Sequence, residues 1–545
     1  RRPRNGSPPH ALVIGGGLAG LATAGLLARD GYRVDLFDRG EEVGGRVGEI
    51  RMDGFRFDTG PTWYLMPEVF EHFFTLMGSR IEDHLDLVPL DPAYRLFAGA
   101  HPPVDVHSGV ERVVKLFEER EPGSGAAVRA HLASAARTYS LAMDNFLYTN
   151  FQSLLPWMNQ DVLTGLPGLA RLLTESLETQ ATRVVEDPVL RQMLTFHAVF
   201  LSAAPSMAPS MYHLMTHLDL GQGVLHPRGG MHRVVEAVEE VVRSAGVRVH
   251  TGCEVEAILT RAGGRGRTRA TATGLRVRDT QGRVREVPGD VVVSGVDLWH
   301  TETALLPPHL RSHPPRYWER TTDGIGTVLG MFGVEGTLPE LAHHSFFFTE
   351  DWQENFAAIF GGGPRIPDPA SVYACRVGAT EDGDAPPGHE TLFLLVPVAA
   401  DEAVGHGSIS RGRGQGDPLV EETVDRALAQ VGRWADIPDL GSRIRTRVTL
   451  GPADHAFLHH SHNGNALGPA HTLSQSAFLR AGSASRRVDG LLHAGQTTTP
   501  GIGVPMALIS AENVLKRLHG DTSAGPVPEP PPLRCSPAAS SVVPG

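Results

Sequence analysis

Residues 11–20, Ala-Leu-Val-Ile-Gly-Gly-Gly-Leu-Ala-Gly, are the stretch of this 545-residue chain that decides its fold. The first four residues suit a buried parallel strand, and Gly15, Gly17 and Gly20 complete the pattern Gly-x-Gly-x-x-Gly. We expect Gly15 to permit a tight turn and Gly17 to let the backbone approach a diphosphate. Gly20 would let the following helix pack closely on the sheet. The stretch therefore predicts the first turn of a dinucleotide-binding fold.

The residues that follow have the order expected of such a fold. A helix begins at Leu18 and Ala19, and its N-terminal N–H groups would face the phosphates. A second strand is predicted from 32 to 37, and Asp38 follows it where an acid accepts ribose hydroxyls, with Arg39 beside it as a further cofactor contact. Strand, helix, strand and acid in this order favour a dinucleotide site over a structural glycine turn.

A second stretch near the end of the chain is predicted to complete the same site. Residues 491–505 have the pattern of a short strand, a glycine-rich turn and a helix start. Proline suits the first turn of a helix, and a helix dipole stabilises negative charge at that end. We expect this segment to close over an isoalloxazine ring. Its predicted contacts are Gly495, Gln496, Gly503, Val504 and Pro505.

The residues after the second strand indicate which cofactor is bound. In Glu-Val-Gly-Gly-Arg at 42–46, Gly45 allows close backbone approach and Arg46 brings a fixed charge towards a diphosphate. Residues 53–62 are predicted to form a hairpin and turn, which a nicotinamide domain does not need. Here the chain resembles the flavin amine-oxidase and carotenoid-desaturase superfamily, in which the dinucleotide fold is followed by Gly-Gly-Arg. The alternative for Arg46 is a surface arginine after a turn. The contacts predicted from the hairpin segment are Gly60, Pro61 and Thr62.

Further along, the chain resembles one family within this superfamily, the phytoene desaturases of bacteria and fungi. The resemblance is carried by Pro-Arg-Gly-Gly-Met at 227–231 with its following helix and strand, and by the runs 196–200, 341–345 and 464–505. It extends over about 10–519. It implies non-covalent FAD, with Val255 near the adenine. The chain departs from the family at Thr498-Thr499-Pro500-Gly501, where the family usually has Thr-His-Pro-Gly.

The resemblance also implies an activity, namely stepwise dehydrogenation of a long isoprenoid hydrocarbon such as phytoene. Electrons would pass from reduced FAD to oxygen or to a membrane quinone. It implies that Asp161 lies near the substrate and assists proton movement, although a helix-capping or surface aspartate is an equal alternative. Three other activities stay open: a carotenoid ketolase, a non-redox polyene isomerase, and a prenyl-binding chaperone of the same fold.

The predicted fold class is α/β, a Rossmann-like FAD-binding domain interleaved with a mixed α+β substrate domain. We expect the nucleotide domain to comprise 10–85, 221–300 and 485–519, since apolar strand patterns return in each segment. The substrate domain would comprise 86–220 and 301–484, the first of these mainly helical. Flexible tails are expected at 1–9 and 520–545, where no apolar periodicity occurs.

Several apolar runs raise the question of a membrane. The runs 154–158 and 346–348 are the candidates for exposure, and with a water-insoluble substrate they predict a peripheral, monotopic association. Core packing is the alternative for most of these residues. Four methionines suit the wall of a hydrocarbon channel, or equally an ordinary helix pair. They are Met193, Met207, Met211 and Met215.

Composition excludes some classes of protein. The net charge is −12 with no basic block, so a nucleic-acid partner is not expected. Three scattered cysteines, no apolar run of 18 residues and no signal-peptide pattern predict a reducing, cytoplasmic setting. His455 and His459 have a spacing available to a metal on a helix, but no acid or cysteine accompanies them, so no metal site is predicted.

Overall fold

The glycine-rich stretch lies at the end of the central strand of a five-stranded parallel sheet. In the computed structural model, which describes residues 8–99, 101–152, 171–263, 266 and 268–530, β1 is buried along its whole length. Its apolar sequence matches a strand covered on both faces. The sheet has the order β20-β13-β1-β2-β9. Its strands are β1 (His10–Ile14), β2 (Arg33–Phe37), β9 (Arg248–His250), β13 (Val291–Ser294) and β20 (Leu491–His493).

Helices from three distant parts of the chain share one core with this sheet. They are α1 (Leu18–Arg29), α7 (His232–Ser244) and α14 (Val504–His519). A smaller four-stranded sheet begins after β9 in the chain. Its strands β10, β11 and β12 pair antiparallel, and β19 pairs parallel with β11. It contains β10 (Glu254–Ala262), β11 (Ala270–Arg278), β12 (Val284–Pro288) and β19 (Val488–Asp489).

A seven-stranded sheet forms the other side of the molecule, in the order β18-β14-β17-β16-β15-β6-β7. Its longest strands pair antiparallel over eleven residues each, from Ile325 opposite Ala399 to Glu335 opposite His389. The strands are β6 (Tyr94–Ala98), β7 (Val104–Val106), β14 (Ile325–Glu335), β15 (His344–Phe348), β16 (Val372–Cys375), β17 (His389–Ala399) and β18 (Ile444–Leu450).

The remaining elements are short strands and helices that surround these sheets. Two two-stranded ladders pair β3 (Glu49–Met52) with β4 (Phe55–Asp58), and β5 (Leu87–Pro89) with β8 (Leu225–Pro227). The helices are α2 (Pro67–Leu76), α3 (Val110–Arg120), α4 (Gly125–Ala142), α5 (Leu177–Ala181), α6 (Pro188–Thr195), α8 (Leu298–Thr303), α9 (Pro315–Arg320), α10 (Trp352–Phe360), α11 (Ser408–Arg411), α12 (Pro418–Trp434) and α13 (Pro452–His459). This combination confirms the predicted α/β class.

One predicted surface is wrong. Residues 346–348 do not form an exposed apolar patch, because they lie in β15 between β16 and β6 with all three phenyl rings buried. An uninterrupted apolar run is typical of a strand covered on both faces, and that reading was the correct one here. The other candidate, 154–158, lies outside the described residues.

Part of the segment expected to be a loose C-terminal tail makes specific contacts. The Lys516 ammonium donates to the carbonyls of Tyr148, Ser523 and Gly525 at 2.6–2.8 Å. The Val527 amide donates to Glu512 at 3.0 Å. These bonds hold 521–529 against α14. Among the described residues, no helix has the length and apolar character needed to cross a membrane.

Candidate functional site

A cavity of about 1230 Å³ opens where the parallel sheet meets the seven-stranded sheet. It exceeds the roughly 300–1,000 Å³ of an ordinary small-molecule pocket, so it has room for a cofactor and a substrate together. Nearly all predicted cofactor contacts line it. They are Gly15, Gly17, Leu18, Ala19, Asp38, Arg39, Gly45, Arg46, Gly60, Pro61, Thr62, Val255, Gly495, Gln496, Gly503, Val504 and Pro505.

Two predicted site residues are not among them. Gly20 does not reach the cavity; it lies in α1 against the carbonyl of Gly15, where a Cβ atom would come within 1.9 Å of that oxygen. Its role is therefore to let the helix approach the turn, which is the packing function of the third glycine. Asp161 lies outside the described residues, so its position is not described.

Asp38 joins the ends of two loops at one edge of the cavity. Its carboxylate accepts the amide of Gly16 at 2.6 Å and the amide of Gly40 at 2.7 Å. Neighbouring Arg39 donates to the carbonyl of Phe457, so that side chain ties the nucleotide turn to α13. Charged hydrogen bonds of this kind hold the carboxylate in place. The remaining lone pairs of the Asp38 carboxylate can accept hydrogen bonds from the hydroxyl groups of a ligand in the cavity.

Arg46 and Asp297 meet deeper in the cavity wall. Arg46 Nη2 lies 3.8 Å from Asp297 Oδ2, and the other carboxylate oxygen accepts the Trp299 amide at the start of α8. Burial lowers the pKa of Arg46 and raises that of Asp297, while each charge partly offsets the other shift. Arg46 Nε and Nη2 and Asp297 Oδ2 are buried without a hydrogen-bond partner. Buried groups of this kind are normally satisfied, so they indicate a polar ligand.

The C-terminal segment closes the cavity from the other side. The Gly495 amide donates to Ser510 Oγ at 2.8 Å, which fixes the turn to α14. Gln496 Nε2 is buried without a partner, and α14 begins after Gly503 with proline in its first turn. The N-terminal amides of α14 therefore present the positive end of a helix at the cavity wall. This is the predicted arrangement of strand, turn and helix.

An imidazole lies at this turn although Thr499 stands where the family usually has histidine. His471 comes from a different loop, and its ring lies where a Cβ atom on Gly501 would approach within 2.5 Å. Its Nε2 accepts the Ile502 amide at 3.2 Å, so Nδ1 carries the proton and donates to Tyr212 Oη at 2.8 Å. Burial, and then the charge of Arg480, lower the pKa of His471 well below its usual value.

The rest of the cavity wall is predominantly apolar and aromatic. Of the four methionines with two alternative roles, Met211 and Met215 line the cavity. Met193 lies in a separate buried core, and Met207 packs against a further one. Among the described lining residues, carboxylates occur only on segments 38–49, 254 and 297. The larger rings and chains on the apolar side include Trp63, Phe146, Phe200, Leu214, Phe346 and Trp352.

One polar chain crosses this apolar wall. Thr62 Oγ1 lies 2.6 Å from Tyr373 Oη, which in turn lies 2.7 Å from Nδ1 of His344. Trp63 stacks on His344 with ring centroids 4.8 Å apart. Burial raises the pKa of Tyr373 well above its usual value and lowers that of His344, so both groups are uncharged. The chain therefore fixes Thr62, a predicted cofactor contact, without placing a charge there.

His455, one of the two histidines with metal-compatible spacing, contacts a hydroxyl group. His455 Nε2 lies 2.8 Å from Thr327 Oγ1, and its ring is 5.9 Å from that of His459. Within the described part of the chain, the group that brings potential ligands within 4.8 Å is His343, His344 and Cys375. It is buried, and Nδ1 of each of its imidazoles is already within hydrogen-bond distance of a hydroxyl group, on Thr380 and Tyr373 respectively.

Comparison with known families shows to which protein family the chain belongs. Residues 18–514 match the family model described as flavin containing amine oxidoreductase. The chain belongs to this family. It is therefore a flavin-dependent oxidoreductase, and its cofactor is FAD.

Relatives within the family carry desaturase names. The chain is 37% identical over 509 residues to carotenoid 3,4-desaturase of Haloarcula japonica, covering 93% of this chain and 98% of that protein. It is 33% identical to the zeta-carotene-forming phytoene desaturase of Myxococcus xanthus, with 93% of each chain covered. Phytoene dehydrogenase of Streptomyces griseus is 32% identical, with 94% of this chain and 96% of that protein covered.

Solved structures share the fold at low sequence identity. An oxidoreductase from Methanosarcina mazei superposes with a TM-score of 0.57 at 16% identity, covering 93% of this chain and 100% of that one. Putrescine oxidase also has a TM-score of 0.57, at 14% identity, with 94% and 99% covered. These similarities establish the overall flavin amine-oxidase fold.

The cavity fits FAD on grounds of its own. The glycine turn with its helix N-terminus suits a diphosphate, Asp38 suits ribose hydroxyls, and the unpartnered Arg46, Asp297 and Gln496 atoms suit the polar flavin and its linker. Asp297 was not predicted, although an acid three residues after the parallel strand β13, at the start of a helix, was a usable signal. His471 and Arg480 lie in the run 464–505 that carries the resemblance, but neither they nor Tyr373 were predicted as site residues. Only the tertiary fold brings His471 and Tyr373 to the cavity wall and Arg480 to a position behind it.

Proposed function

We propose that the protein dehydrogenates a long carotenoid hydrocarbon, phytoene or a similar polyene, in carotenoid biosynthesis. The observation that carries this proposal is a single cavity with a polar nucleotide half and an extended apolar half. The names of the relatives from Myxococcus xanthus and Streptomyces griseus support the substrate class. The relative from Haloarcula japonica favours a second candidate, dehydrogenation of the 3,4 bond of a more conjugated carotenoid.

We propose that the predicted contacts hold the cofactor, with Asp38 on the ribose, Arg46 near the diphosphate and the 495–505 segment on the flavin. Bound FAD supplies the two-electron oxidant that an unactivated C–C bond requires. The chain binds and orients the apolar substrate, and its aromatic wall excludes water from the reacting carbons. Asp161 is proposed to accept or guide the departing proton. Oxygen or a membrane quinone is proposed to reoxidise the cofactor.

The experiment is anaerobic mixing of the FAD-loaded protein with phytoene in lipid. We expect the flavin absorbance to bleach and the product to have a longer conjugated system. A parallel mixture with a more conjugated carotenoid tests the 3,4-desaturation candidate. Oxidised flavin together with a product that is only a geometric isomer would instead support an isomerase.

A substitution tests the proposed role of Asp161 in proton movement. Asp161→Asn with full FAD content should slow turnover, and undiminished turnover would refute that role.

We also propose that the protein docks on a lipid bilayer through the rim of this cavity. Leu473, Phe478 and Leu479 line the cavity and are 45%, 60% and 51% exposed. The nearby helix α9 has Tyr317 and Trp318 between exposed arginines, a composition typical of a membrane interface. Two hydrogen bonds join segment 473–479 to the residues that follow α9. The Thr322 amide donates to Gln475 Oε1 at 2.8 Å, and Gln475 Nε2 donates to the Thr322 carbonyl at 2.9 Å. Apolar side chains at an opening would let an insoluble substrate pass directly from lipid into the cavity.

Liposome flotation tests this docking surface. Phe478→Ser with Leu479→Ser should reduce the fraction of protein that floats, while FAD content stays unchanged. Val110→Ser with Val284→Ser is the matched control, since these exposed residues are 39% and 47% accessible and do not line the cavity. Protein that never floats, with or without anionic lipid, would refute membrane docking altogether.

We propose that the chain is divided into two interleaved domains, a nucleotide domain and a substrate domain. Segments 10–85, 221–300 and 485–519 contribute all strands of the parallel sheet, and segments 86–220 and 301–484 contribute all strands of the seven-stranded sheet. Limited proteolysis with and without FAD tests it. Cleavage confined to the junctions near 86, 221, 301 and 485 would support these boundaries, and cleavage inside the segments would count against them.

A further inference from the structure

A buried arginine behind the C-terminal turn has no anionic partner among the described residues. Arg480 is 5% exposed, and its hydrogen bonds go to main-chain carbonyls. Nε donates to Thr498 at 3.2 Å, and Nη2 donates to Gln496 at 2.5 Å. Nη1 donates to Pro469 at 3.3 Å and to Gln475 at 3.1 Å. Across the described ranges, no carboxylate oxygen lies within 4.0 Å of this guanidinium.

A buried charge without a counter-ion is costly, so the position needs a physical reason. Burial lowers the pKa of Arg480 to about 10, and the neighbouring phenols of Tyr212 and Tyr317 oppose that shift. The side chain therefore stays protonated at neutral pH. His471 beside it is uncharged, so it neither neutralises nor adds to this charge.

The charge lies one layer behind the cavity wall. Two of its acceptors, Gln496 and Thr498, belong to the turn between β20 and α14, and Gln496 itself lines the cavity. Arg480 Nε is 3.7 Å from the position of a Cβ atom on Gly501. The N-terminus of α14 begins at the same turn, so the helix dipole and Arg480 place positive potential at the same part of the wall.

The turn is held rigidly in this position. His471 accepts the Ile502 amide and donates to Tyr212, whose hydroxyl donates to Ser476 Oγ at 3.0 Å. Ser476 in turn donates to the Thr472 carbonyl at 2.8 Å. Each member of this chain has a partner, and none carries a charge. A preorganised positive potential of this kind favours whatever negative charge develops on the other side of the turn.

We propose that Arg480 is a positioning residue whose uncompensated charge stabilises the negative charge that FAD gains on reduction. The inference rests on the proposed placement of FAD against 495–505. Accepting a hydride adds two electrons and one proton to the flavin, which leaves one negative charge. Arg480 and the α14 dipole stabilise this charge, so they raise the midpoint potential of the bound cofactor. This favours removal of hydrogen from an unactivated hydrocarbon.

The test is the midpoint potential of the FAD-loaded protein, measured by equilibration with a redox dye. In Arg480→Met, the ratio of reduced to oxidised FAD at a fixed dye potential should fall at least tenfold, which corresponds to about 30 mV for a two-electron couple. Arg480→Lys should retain most of the wild-type potential. Arg376→Met is the matched control, because Glu390 already neutralises Arg376 through two 2.7 Å bonds in the seven-stranded sheet.

A second measurement needs no variant. In the wild-type protein, the pH dependence of the midpoint potential should correspond to one proton per two electrons through neutral pH. Two protons per two electrons would overturn the inference, as would an unchanged potential in Arg480→Met with full FAD. A protein that binds no FAD would overturn the proposed function as well. Bound FAD with normal desaturation and no effect of Arg480 on the potential would overturn this inference alone.

Discussion

At the scale of single residues, one side chain often serves both the fold and the site. Asp38 accepts two backbone amides and also faces the cavity, so the same carboxylate shapes the nucleotide loop and presents acceptors to a ligand. Gly20 serves only the fold, because the absence of a Cβ atom makes room for the Gly15 carbonyl. Substitution of Asp38 should therefore change both the nucleotide loop and ligand binding, whereas substitution of Gly20 should disturb the packing of the helix on the turn.

The first prediction concerns Asp38→Ala. We expect FAD binding to weaken by about 1–3 kcal/mol, since hydrogen bonds to charged partners contribute that much. Equilibrium titration of the apoprotein with FAD measures it. Glu41→Ala is the matched control, because this exposed carboxylate is three residues away and does not line the cavity. Equal FAD occupancy of Asp38→Ala and wild type at limiting FAD would contradict the ribose assignment.

At the scale of elements, α14 connects the site to the end of the described chain. Its N-terminus forms the cavity wall, and its middle holds segment 521–529 through Lys516 and Glu512. His72 of α2 joins the same contact, with Nε2 3.3 Å from Glu512 and Nδ1 2.9 Å from Glu529. Burial disfavours the charged imidazole, but the two carboxylates outweigh burial and raise the pKa of His72.

The second prediction follows from this raised pKa. A group whose pKa is higher in the folded state stabilises that state at low pH, and the effect is lost as the pH rises through the folded pKa. Wild type should therefore melt at a higher temperature than His72→Gln at pH values below the ordinary histidine pKa. The two proteins should converge in alkaline solution. Exposed His309→Gln is the control and should show no such difference. A pH-independent difference for His72→Gln would contradict the charged contact.

At the scale of the whole molecule, the cavity depends on segments that are far apart in the chain. Its polar half combines residues near 15, 46, 297 and 495, and its apolar half is built from helices and from β14, β15 and β17. Neither sheet forms this site by itself. A ligand that binds here contacts several segments at once, and it therefore stabilises the folded state of the whole unit.

The third prediction concerns removal of FAD. At a free FAD concentration of 100 times the dissociation constant, the free energy of unfolding should rise by about 2.7 kcal/mol relative to the apoprotein. Thermal melts over a series of FAD concentrations measure this as a steady rise in melting temperature. AMP, which lacks the flavin half, is the control ligand and should give a smaller rise. Melting that is independent of FAD would contradict cofactor binding across the cavity.

The local patterns determined the nucleotide half of this protein. Residues 11–20 and 491–505 form the predicted strands, glycine turns and helix starts, because short-range spacing specifies such elements. Asp38, Gly45 and Arg46 line the cavity that these segments form. Only the tertiary structure decided which apolar runs are exposed: Phe346 to Phe348 are buried, whereas Phe478 and Leu479 face solvent. It also brought Arg480, His471 and Asp297 to the cofactor segments. Contacts between residues hundreds of positions apart depend on how sheets pack, and no local periodicity specifies that packing.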